Sequence, residues 1–127
     1  MALPIIPGAN NELITGSLPA AYPTSGTSTS LSVIFLTDGT YTLSEPTSTD
    51  NTAIYAINSW NDVTDITLPP SNGNMQFLFK KIDASSNPVT IYGYGSNKID
   101  GSATYELGAQ WDSVRIVSYT TASWLKF

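Results

Sequence analysis

The chain has 127 residues and a formal charge of −5, with no cysteine and no histidine. Disulfides, thiolate metal sites and Ser–His or Cys–His nucleophiles are therefore excluded, together with the commonest acid–base group near neutral pH. Charged residues make up only 12% of the sequence, roughly half the usual share, and Ser and Thr fill the gap.

Residues 1–30 read as an extended N-terminal arm. Pro4, Pro7, Pro19, Pro23 and the tract Thr24-Ser-Gly-Thr-Ser-Thr-Ser30 oppose a helix. The segment has no positive n-region, so it does not read as a signal peptide, and no run approaches the ~20 apolar residues of a bilayer span. Leu3, Ile5, Ile6, Leu13 and Ile14 are nevertheless too apolar for a free linker. The arm either packs on its own body or docks on a neighbouring subunit or larger assembly.

Residues 31–127 carry strand signals at short spacing. Ser32-Val-Ile-Phe-Leu-Thr37, Asp38-Gly39 and Thr40-Tyr-Thr-Leu-Ser44 predict a hairpin, because Asp-Gly suits a two-residue primed turn. Thr52-Ala-Ile-Tyr-Ala-Ile57 follows, and Val63-Thr-Asp-Ile-Thr-Leu68 is stopped by Pro69-Pro70. In Met75-Gln-Phe-Leu-Phe-Lys-Lys-Ile82 the alternation sends Met75, Phe77 and Phe79 to one face and Gln76, Leu78 and Lys80 to the other. Further strands are expected at 89–94, 98–101, 103–107, 113–119 and 122–127. The expectation is an all-β body, an antiparallel β-sandwich or barrel-like fold without a clean internal repeat. Such a body must manage its edges, and strands running to Phe127 favour pairing between subunits, with a homotrimer expected.

Little chemistry is on offer. Residues 1–79 hold six carboxylates and no Lys or Arg, so a polyanion such as nucleic acid is disfavoured as partner. Carboxylate pairs such as Asp62 with Asp65, or Asp100 with Glu106, could serve glycoside hydrolysis only across a cleft, and read instead as solvated charge. No calcium loop appears, and no cofactor or metal is expected. The aromatic residues are more informative: Trp60 in a polar loop and Tyr92 and Tyr94 beside a glycine could form a ligand platform, or else pack in the core or between subunits.

From Ile66 onward, marks occur in a fixed order: Ile66-Thr-Leu-Pro69, Phe79-Lys-Lys-Ile-Asp83, Asn87-Pro-Val-Thr-Ile91, Lys98-Ile-Asp-Gly101, Ala103-Thr-Tyr-Glu-Leu107, Trp111-Asp-Ser-Val114 and Ser118 through Trp124-Leu125. This half of the chain resembles a β-rich module of tailed-bacteriophage virion proteins. It departs from the pattern at Tyr119-Thr-Thr-Ala122, where a Gly-containing turn is usual, and in the spacing before Lys98. The resemblance implies a non-enzymatic, often trimeric virion part, without catalytic residues to carry over. A short chain with an apolar arm suits a capsid decoration (cement) protein at the virion surface, made in the host cytoplasm. The arm residues Leu3, Ile5, Ile6, Leu13 and Ile14 would then bind the major capsid protein. The alternative is a tail-fibre or glycan-binding tip, using Trp60, Tyr92 and Tyr94. No membrane partner is expected.

Overall fold

The computed structural model describes residues 32–127, and the arm with Leu3, Ile5, Ile6, Leu13 and Ile14 lies outside them. The described residues are all-β. They form ten strands: β1 (Val33–Thr37), β2 (Gly39–Thr42), β3 (Thr52–Asn58), β4 (Thr64–Thr67), β5 (Gln76–Lys81), β6 (Val89–Tyr92), β7 (Lys98–Ile99), β8 (Thr104–Leu107), β9 (Ser113–Ser118) and β10 (Ser123–Lys126).

These strands build two mixed sheets rather than antiparallel ones. One has the order β1-β3-β5-β9-β10-β7 and the other β2-β4-β6-β8. Successive pairs β1–β2, β3–β4 and β5–β6 each give one strand to each sheet, and equivalent strands lie parallel. Val33, Ile54 and Leu78 stand side by side in the first sheet, as do Gly39, Thr64 and Val89 in the second. The chain thus stacks three rungs like a solenoid. Direction then reverses: β8 runs antiparallel to β6, β9 antiparallel to β5, and β10 antiparallel to β9.

Asp38-Gly39 does not make the expected hairpin. It is a corner at which the chain leaves one sheet for the other, with Gly39 at φ 139° and its N–H donating to Val63 O at 3.2 Å. The primed turn falls instead on Asp100-Gly101, whose φ values are 48° and 84°, closed by reciprocal bonds between Ile99 and Ser102 of 2.7 and 2.9 Å.

Side-chain alternation puts the core between the sheets. Phe77 and Phe79 point inward as expected, and Tyr55, Phe77 and Phe79 stack with centroids 5.5–6.4 Å apart. Trp124 closes this row, tilted on Phe77 at 5.9 Å. Ile66, Ile91 and Leu107 face them from the second sheet. Offset or tilted rings of this kind add about 0.5–1.5 kcal/mol per pair beyond the area they bury.

Candidate binding surfaces

A solenoid corner exposes backbone polar groups that no sheet ladder satisfies, so side chains must do it. At the corner between β3 and β4 this falls to Lys81 and Asp83 of the next rung, which are buried. Lys81 Nζ donates to Asp83 Oδ1 at 2.7 Å and to Ser59 Oγ at 3.0 Å. Asp83 Oδ2 accepts the Ser59 N–H at 2.6 Å, and Oδ1 accepts the Ser85 N–H at 3.0 Å. Burial alone would raise the Asp83 pKa, but the bonds from Lys81, Ser85 and Ser59 outweigh it and hold the carboxyl well below the usual carboxylate range.

Trp60 sits on this braced corner. Its N–H donates to Asn58 Oδ1 at 2.9 Å, and its carbonyl accepts from Asn87 Nδ2 at 3.1 Å. The backbone is therefore fixed while the indole is 59% exposed.

The tyrosine pair lies elsewhere. Tyr92 ends β6 and is paired with Thr67, whereas Trp60 precedes Thr64 at the other end of β4. That separates them by about three residues of strand, roughly 10 Å. Tyr92 OH donates to Asp65 Oδ1 at 3.3 Å, and the Asp65 charge beside it raises the phenol pKa. Tyr94 lies beyond the strand, in a turn where the Asn97 N–H donates to Tyr94 O at 2.8 Å. Trp60, Tyr92 and Tyr94 consequently do not form one platform.

Gly93 is what lets the turn close. A Cβ there would stand 2.2 Å from Asn97 O, a backbone atom without room to retreat. Gly93→Ala is expected to cost more than about 1 kcal/mol in a urea melt. A neutral result would mean that the turn opens freely.

Two of the carboxylates weighed for hydrolysis and read as solvated charge make local bonds. Asp62 Oδ1 accepts the Val63 N–H at 2.8 Å, and Asp100 accepts from Lys126 Nζ at 3.3 Å. Among the described residues no cluster of three His, Cys, Asp or Glu side chains is placed to hold a metal ion.

A second surface was not anticipated from the sequence. On the outer side of the six-stranded sheet, Val33, Ile54, Leu78, Arg115 and Phe127 form one row across five chain segments. Phe35, Ala56, Lys80 and Ser113 form the next. A shallow groove of about 450 Å³ runs among Ile54, Leu78, Lys80, Arg115 and Phe127. Arg115 lies over the Phe127 ring at 4.8 Å and Lys80 Nζ over Trp111 at 5.9 Å. Phe35 and Phe127 are 72% and 68% exposed. The signal in the sequence was β1 itself, whose run Val-Ile-Phe-Leu is apolar on both faces although only one can face the core.

No protein-family model matches this chain, and no curated protein matches it.

Proposed function

We propose that the chain is a non-enzymatic structural part of a bacteriophage virion and forms the distal end of a tail appendage, where it meets the host surface. The observation that supports an end position is the reversal of strand direction after β6. Stacked parallel rungs bury each rung against the next, so the last one needs a different neighbour. Here β8 and β9 run antiparallel beside β6 and β5 and occupy that position. An elongated β appendage requires such a closing piece at its tip. Trp60 would be the contact residue, since an indole on an already fixed backbone loses little freedom on meeting a sugar or protein surface.

The capsid decoration reading draws support from a different observation, the broad apolar outer face of the six-stranded sheet. A cement protein that binds only the assembled shell stabilises it by mass action, and such a face suits a large protein partner.

Gold-conjugated antibody on intact virions separates the two. Label at the tail end is expected; label spread over the head would favour the cement role, and unlabelled particles would exclude both. Trp60→Ala is expected to weaken host-cell adsorption about tenfold or more, while stability stays within about 0.5 kcal/mol. Unchanged adsorption would remove Trp60 from the contact.

A further inference from the structure

We propose that copies of this chain associate through two different faces, the outer side of the six-stranded sheet of one copy seating on the outer side of the four-stranded sheet of the next. The first face is apolar and carries two cations. Lys80 and Arg115 face outward beside the groove, and neither belongs to either ion pair among the described residues, which are Lys81–Asp83 and Lys126–Asp100. Each is held instead over an aromatic ring, which orders it without neutralising it.

Trp111 adds a second observation. Its φ is +74°, a left-handed conformation that is costly for a bulky side chain, and yet its ring is 58% exposed. Glycine or asparagine would relieve the backbone at that turn. A strained aromatic residue held outward beside Lys80 is accounted for when the ring has a partner to meet.

The complementary charge is on the other side of the same molecule. Strands β2, β4, β6 and β8 contain no Lys or Arg. Their register aligns Thr40, Asp65, Thr90 and Glu106 in one outward row, with Thr42, Thr67, Tyr92 and Thr104 in the next. This face is hydroxyl-rich and anionic. Two copies meeting through the six-stranded face alone would oppose Arg115 and Lys80 to their own equivalents, which costs energy. Seating that face on the acidic one pairs the charges and covers Phe35, Leu78 and Phe127. A contact between unlike faces is heterologous and builds a ring or an open chain according to its rotation.

The inference holds for either virion position, so particle labelling and the following test fail independently. Sedimentation of the full chain is expected to show self-association that weakens with salt. Lys80→Glu with Arg115→Glu should lower the association constant at least tenfold, and so should Asp65→Lys with Glu106→Lys. Each double variant keeps one intact face. The two reversed faces are complementary to each other as well, so mixing the variants is expected to restore an association that neither shows alone, with circular dichroism spectra like the parent's establishing that both fold. A monomeric parent would overturn the proposal. So would an Asp65→Lys/Glu106→Lys variant that associates as the parent does, which would point to pairing of like faces.

Discussion

Replacing Asp83 with asparagine is expected to cost about 3–5 kcal/mol, because it leaves the Lys81 ammonium buried without a counter-charge. Lys81 is fully buried and meets Asp83 Oδ1 at 2.7 Å, so water cannot take over that role. The two partners are not equivalent. Without Lys81, the Asp83 carboxylate still accepts the Ser59 and Ser85 N–H groups and the Ser85 hydroxyl. Lys81→Met should therefore cost less than Asp83→Asn, and the double variant should also be more stable than Asp83→Asn alone. Urea melts of the three variants check the order. An Asp83→Asn protein within about 1 kcal/mol of the parent would show that the pair is neutral or hydrated.

The same pair sets an acid limit. The folded Asp83 carboxyl titrates below its ordinary value of 3.8, so its contribution is complete above that pH. As the pH falls through the folded-state pKa, the proton bound more tightly by the unfolded chain draws the equilibrium toward unfolding. Melting temperature should decline in acid for the parent protein and decline less steeply for Asp83→Asn. Equal slopes would mean that other carboxylates govern acid unfolding.

Trp124→Ala is the second large effect, at about 3–5 kcal/mol. The ring is wholly buried, closes the row Tyr55–Phe79–Phe77, and carries more volume than the site can recover by collapse. Its indole N–H has no hydrogen-bond partner, however, and an unpaired buried donor costs about 1–3 kcal/mol. Trp124→Phe keeps an aromatic ring against Phe77 and removes that donor. It should cost less than about 1.5 kcal/mol despite its smaller size. Equal losses for Ala and Phe in thermal melts would show that volume alone matters at this site.

Trp124 stood in the sequence as one of the marks of resemblance, as did Lys81 and Asp83, and the structure supplies physical reasons for all three. The ring closes the core; the ion pair satisfies a corner. The polar loop around Trp60 was legible, but whether its indole packs or is exposed was left open by the sequence, and the structure leaves it exposed. Its separation from Tyr92 and Tyr94 was not legible, because a separation in space depends on which strands are paired. Lys80, Arg115, Trp111 and Phe127 were missed for the same reason. They are far apart along the chain and become neighbours only through the register of β5 with β9 and of Arg115 with Phe127.

Local rules held where the physics is local. Alternation of apolar and polar residues at 75–80 fixed which side of β5 faces the core, and β-branched and aromatic residues with Gly, Pro and Asn punctuation determined an all-β chain. Pairing was decided by tertiary structure. Asp-Gly occurs twice, and the dipeptide alone favours the same primed turn at both positions. At Asp100-Gly101 the flanking residues bond to each other and the turn forms. At Asp38-Gly39 the flanking strands find better partners in β3 and β4, so the chain passes from one sheet to the other. Parallel stacking joins residues that are remote in sequence through loops of unequal length. It therefore leaves no regular period in the sequence, and only the buried contacts between rungs select it.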